Sequence, residues 1–190
     1  MRIKWFSLIR ITGLLLVLLY HFFQTIFPGG FFGVDVFFTF SGFLITSLLL
    51  EEFGKARQID LLSFFKRRFY RIVPPVVLMV LVTMPFTLLV RRDYVAGIGG
   101  QIAGVFGFMT NFYEMLTGGS YESQFIPHLF VHNWSLAVEV HYYILWGLAV
   151  WFLSKRSKSS SQLRGMVFLL SAGAFIISFF SMFIGSLMAS

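Results

Sequence analysis

The sequence predicts an all-α, polytopic transmembrane protein of about five spans plus one apolar segment that is re-entrant or interfacial. Hydrophobic residues fill 57% of the 190 positions and charged residues only 12%, about half the share usual in a soluble domain. Mean hydropathy is +0.82. The apolar residues also gather into runs long enough to cross a bilayer core of about 30 Å, separated by short basic stretches. The bilayer is therefore the solvent for most of this chain.

The first expected span covers residues 7–27 and stops at Pro28-Gly29-Gly30. Its basic start (Arg2, Lys4) resembles a signal peptide, but Arg10 and His21 interrupt the apolar run and no small-residue cleavage site follows. A retained anchor helix is the expectation. The second span is residues 31–50. Between Glu51 and Val73 come six basic residues, Lys55, Arg57, Lys66, Arg67, Arg68 and Arg71. Such a stretch belongs in the cytoplasm, and residues 60–71 read as an interfacial amphipathic helix. Apolar segments follow at 74–90 and 94–115. Residues 117–133 contain no Lys or Arg and should lie outside. A strong span at 134–153, a basic loop holding Lys155, Arg156, Lys158 and Arg164, and a last span at 166–188 complete the chain. Parity allows only one of the segments 74–90 and 94–115 to cross. The second, with Gly97, Gly99, Gly100, Gly104 and Gly107, is the weaker helix. The expected location is the cell membrane, multi-pass, with a cytoplasmic N-terminus.

Several function classes fall away. The net charge of +7 comes from 15 Lys and Arg clustered beside apolar segments. That is topology-setting charge, facing membrane lipids and not nucleic acid. With no cysteine, disulfides, thiolate metal sites and cysteine nucleophiles are excluded.

What remains is polar residues where they are costly. A charge at a helix centre costs about 2.5–3.5 kcal/mol on insertion scales, so such residues pair, snorkel or work. Arg10 and His21 recur eleven residues apart on one face of the first span, about 16 Å along its axis. They offer a fixed cation and a general base, or helix-packing groups. Asp35 opens the second span among Gly29, Gly30, Gly33 and Gly42, which permit close backbone approach, and Ser41 and Thr46 add hydroxyls. Asp35 could orient a neighbouring histidine, or pair with a cation on another helix. Arg68 and Arg71, three apart, suit a phosphate clamp or an anionic lipid headgroup. In NWSLAVEVHYYILW the aromatic residues fit an interfacial belt, which leaves Glu139 unexplained beside His141, Tyr142 and Tyr143.

Arg10-x10-His21, GGFFGVDVFFTFSGFLIT at 29–46, RFYR at 68–71 and WSLAVEVHYY at 134–143 stand in the order of a known pattern. Together they resemble the acyltransferase 3 family of bacterial membrane acyltransferases, most of all its Gram-positive peptidoglycan O-acetyltransferases. The resemblance implies transfer of an acyl group, usually acetyl, from cytoplasmic acyl-CoA to a hydroxyl of an extracytoplasmic glycan. It implies Arg10 and His21 as the essential basic residue and the histidine base or acyl acceptor, with Asp35 and Glu139 as further catalytic positions. Arg68 and Arg71 would hold the CoA phosphates, and Ser41, Tyr142 and Tyr143 would be polar residues of the core. Acetyl-CoA is the expected donor and no metal is expected.

Two departures stand out. Where the family usually has a second carboxylate and a glutamine, this chain has Val140 and His141. It also ends after about half the family's spans, so the remaining spans, or a secreted esterase-like domain, are expected partners, and an inactive fragment stays open. Two other classes remain beside the enzyme: a transporter or lipid-binding scaffold using the same charges, and a b-type haem protein with ligands among His21, His128, His132 and His141.

Overall fold

A computed structural model describes residues 4–23, 25–90, 97–117 and 128–189. Among these residues every regular element is helical: α1 (Lys4–Phe22), α2 (Phe32–Ala56), α3 (Leu61–Val90), α4 (Ile98–Phe106), α5 (Thr110–Thr117), α6 (Trp134–Arg156) and α7 (Ser160–Ala189), with single 3-10 turns at Pro28–Phe31 and Val131–Asn133. Four helical stretches, Pro28–Ala56, Leu61–Thr87, Val131–Arg156 and Ser160–Leu187, are long and apolar enough to cross a membrane, and Leu8–Phe22 is a shorter apolar helix. The protein is an all-α polytopic membrane protein. Its large apolar side chains point outward, as a lipid solvent requires: on α7, Phe168, Phe175 and Ile177 are each about 70% exposed.

The chain forms two compact units, residues 1–44 with 62–145, and residues 45–61 with 146–190. In the first, α1 and α2 are joined through the turn at Pro28 and approach closely because glycine faces backbone. A Cβ on Gly33 would lie 2.6 Å from the Gly13 carbonyl oxygen, and one on Gly30 would lie 2.4 Å from that of Leu16. Gly29 is different, since a Cβ there would meet only Phe32, at 4.0 Å. Gly33→Leu is therefore expected to force the two helices apart, at about 1–3 kcal/mol. A thermal midpoint in detergent that matches the parent's would show that the helices do not rely on this contact.

The segment expected as an amphipathic helix at 60–71 and the span expected at 74–90 run together as one continuous helix from Leu61 to Val90. Pro74 and Pro75 lie inside α3. They remove the amides that would bond the carbonyls of Tyr70 and Arg71, yet they do not break the helix. Residues 94–96 lie outside the described residues, and the rest of the glycine-rich segment forms α4 and α5. At nine and eight residues, these are about 13 Å and 12 Å long, short of the bilayer core. The amide of Met109 donates to Gly104 O at 2.7 Å where the chain turns between them. Val105 of α4 and Phe130 pack against Val76 and Val80 of α3, and the amide of Phe130 donates to the buried Gln101 side chain at 3.3 Å.

In the second unit the indole N–H of Trp146 donates to Thr46 Oγ1 at 2.8 Å. Ile45, Leu49, Val150 and Leu163 are fully buried. α7 begins at Ser160, six residues before the apolar run, because its start is capped. The Gln162 amide donates to Ser159 Oγ at 3.1 Å, and the Gln162 side chain accepts from the Lys158 amide at 2.8 Å.

Candidate functional site

Two polar places in the first unit hold most of the residues singled out from the sequence. In the first, Glu139 on α6 accepts hydrogen bonds from Ser41 Oγ on α2 and from the hydroxyl of Tyr143, one turn further along α6. The two hydroxyl oxygens are 3.4 Å apart. The buried Arg68 places its guanidinium 5.5 Å from the Tyr143 ring centre and 5.6 Å from that of Phe64, within cation–π reach of both. Arg10 on α1 sits 5.0 Å from the ring of Phe40. Arg71 is exposed on the same face of α3 as Arg68, one turn on. Arg10 and Arg68 each feel Glu139 as an attractive charge and Arg71 as a repulsive one. Among the described residues, Glu139 is the carboxylate that both Arg10 and Arg68 feel. Arg68 also has a buried Nε–H with no hydrogen-bond acceptor among the described residues, which in an apolar setting is costly.

The second place lies further along α1. His21 Nδ1 is 2.7 Å from Val17 O. A carbonyl oxygen can only accept, so Nδ1 carries the proton and Nε2 the lone pair. The His21 ring meets His132 edge to face, with centroids 4.9 Å apart. Both line a pocket of about 260 Å³, with Tyr20, Phe31, Trp134 and Ser135 among the other walls.

The structure thus brings Arg10, Ser41, Arg68, Glu139 and Tyr143 together, with Arg71 at the edge, and holds His21 apart from them. Eleven residues of α1 separate Arg10 from His21, about 16 Å. On α2, Val34 lines the histidine pocket while Ser41 reaches Glu139, a rise of about 10 Å. Tyr142 packs its hydroxyl over Gly42, where a Cβ would lie 3.3 Å away. Asp35 joins neither place. It is exposed on the first turn of α2 and makes no hydrogen bond or ion pair among the described residues. Neither partner weighed for it, a histidine or a cation of another helix, meets it among the described residues, and His21 Nδ1 lies against Val17 O of its own helix.

The four histidines do not form one set. His141 packs against Phe112 at 5.6 Å. His128 lies 2.6 Å from Glu114, a carboxylate buried in α5 that sequence reasoning did not single out. Its only signal was a lone acid in an apolar segment. His132, weighed only as a haem ligand, proves to be the neighbour of His21. Its signal was its place two residues before Trp134.

Residues 3–189 match the family model described as an acyltransferase domain. The O-acetyltransferase OatA of Staphylococcus aureus, strain NCTC 8325, is 33% identical over 174 residues, which is 90% of this chain and 29% of the relative. The protein of that name from strain COL gives the same figures. A second protein of strain COL, named provisionally as an O-acetyltransferase, is 36% identical over 136 residues, 72% of this chain and 22% of its own length. The chain therefore spans less than a third of the length of these relatives. No solved structure matches it significantly. The order Arg10, His21, Ser41, Arg68, Glu139 is carried on a helical framework matched by the family model almost from end to end, and the chain belongs to the acyltransferase 3 family.

Proposed function

We propose that this chain provides the donor side and the transfer site of a membrane O-acetyltransferase. Acetyl passes from cytoplasmic acetyl-CoA to a hydroxyl of an extracytoplasmic cell-wall glycan, peptidoglycan being the acceptor that the family resemblance favours. The observation that carries the reading is the surplus of positive charge around Arg68. Among the described residues, Arg10, Arg68 and Arg71 outnumber Glu139, and the Arg68 Nε–H lacks an acceptor. A phosphate group would supply both the charge and the acceptor. The basic residues Lys66, Arg67, Arg68 and Arg71 of α3 favour the cytoplasm for this end by the positive-inside rule, and acyl-CoA is found there.

From phosphates held there, an extended pantetheine arm points the thioester along α1 towards His21. His21 Nε2 takes the proton of the attacking hydroxyl as the new C–O bond forms. The C–S bond breaks, and the same proton passes to the departing thiolate. Glu139 holds Ser41 and Tyr143 and offsets part of the arginine charge.

The test is donor binding. Full-length protein in nanodiscs is expected to bind acetyl-CoA, and Arg68→Ala with Arg71→Ala to weaken it by about 10–100-fold, the loss of one or two charge-assisted bonds. Equal affinity in parent and double variant would remove the clamp from α3.

A further inference from the structure

Resting on that reading, we infer that the pocket between His21 and His132 is the acceptor subsite, taking a single sugar ring whose reacting hydroxyl is held between the two imidazoles. The pocket of about 260 Å³ is at the small end for ligand sites. It has room for one ring and not for a folded chain. Its walls are of the kind that hold sugars. Tyr20, Phe31 and Trp134 present aromatic surface, against which the C–H faces of a pyranose pack. His21, His132 and Ser135 present hydrogen-bonding groups. Ser135 Oγ donates to His132 O at 3.4 Å, and the two imidazoles stand edge to face on the same wall of the pocket.

Their geometry divides the work. Val17 O fixes the proton of His21 on Nδ1, which makes Nε2 the accepting atom. A hydroxyl that gives its proton to His21 keeps lone pairs that need a donor. His132, edge to face with His21 at 4.9 Å, is placed to donate a ring N–H to them. His132 therefore orients the acceptor, while His21 takes its proton.

Its backbone supports this. His132 sits in the 3-10 turn Val131–Asn133 immediately before α6. Just upstream, His128 is tied to Glu114 and the Phe130 amide to Gln101. The segment that presents His132 is anchored on α4 and α5 rather than left to the loop.

The experiment uses N-acetylglucosamine as the probe and full-length protein in nanodiscs, with Trp134 fluorescence as the binding signal and [14C]acetyl-CoA for transfer. We expect a saturable fluorescence change that is lost in Trp134→Phe. In His132→Phe, which keeps a ring in place, sugar affinity should fall at least tenfold with acetyl-CoA affinity unchanged. His132→Gln, which restores a donor, should recover part of it. In transfer assays, the loss in His132→Phe should fall on the KM for sugar more than on that for acetyl-CoA. Unchanged sugar binding in His132→Phe would overturn the inference, because the ring would then only pack. Acetyl-CoA binding by the parent with no saturable sugar binding would overturn the sugar assignment and leave the donor reading intact. Failure of the parent to bind acetyl-CoA would remove the donor reading itself. Acetyl-CoA affinity in His132→Phe serves as the control for folding.

Discussion

His21→Ala is expected to reduce acetyl transfer by roughly 10²–10⁴-fold, the usual contribution of a positioned general base, while leaving acetyl-CoA binding within about twofold. The two effects separate because the two places are separate. Arg68 and Glu139 are grouped around Tyr143, about 16 Å along α1 from His21 by the rise between Arg10 and His21. His21 is exposed, and its ring meets Val17 O, Tyr20 and His132. Truncating it should therefore cost little in folding. The measurement is acetyl transfer to cell-wall glycan by membranes carrying parent or variant, normalised to inserted protein. Glycan acetylation at the parent's level in His21→Ala would rule out His21 as the base. A loss of acetyl-CoA binding in the same variant would mean that the two places are coupled, contrary to the geometry.

Much of the polar core could be read from the sequence, and its limits have physical causes. A charge in an apolar run is conspicuous at any position, so Arg10, His21 and Glu139 stood out unaided. The helical period placed Arg68 and Arg71 on one face, as they are in α3. Periodicity says nothing about which helices meet. The pairing of His21 with His132 joins residues 111 positions apart, and only the packing of α1 near the start of α6 creates it. Asp35 shows the same limit. A carboxylate near a span's start looks available to a neighbouring histidine, but His21 found a partner four residues back in its own helix. Pro74-Pro75 suggested a boundary because prolines usually end helices. In α3 they remove two amides and the helix continues.

Glu139→Gln should dissociate stability from donor binding, with opposite signs. The substitution preserves shape and removes the negative charge that Arg10 and Arg68 feel. Ser41 and Tyr143 both donate to the same oxygen of Glu139. A carboxamide oxygen is a weaker acceptor than a carboxylate for the pair of them, and its NH₂ can only donate. Weakening two charge-assisted hydrogen bonds to a half-buried carboxylate costs about 1.5–3 kcal/mol, read as a lower thermal midpoint in detergent. Donor binding should move the other way. With its one negative charge gone, the arginine cluster attracts CoA phosphates at least as strongly as before. Acetyl-CoA should accordingly raise the thermal midpoint of Glu139→Gln by more than that of the parent, since a ligand stabilises the state it binds in proportion to ln(1 + [L]/Kd). A tenfold weaker affinity in the variant would show that Glu139 contacts the donor directly and is not the counter-charge of the cluster. An unchanged midpoint without ligand would show that the arginines are already neutralised by solvent or lipid. The combination of lower stability, undiminished donor affinity and larger rescue by donor is what a cation-rich site balanced by a single carboxylate requires.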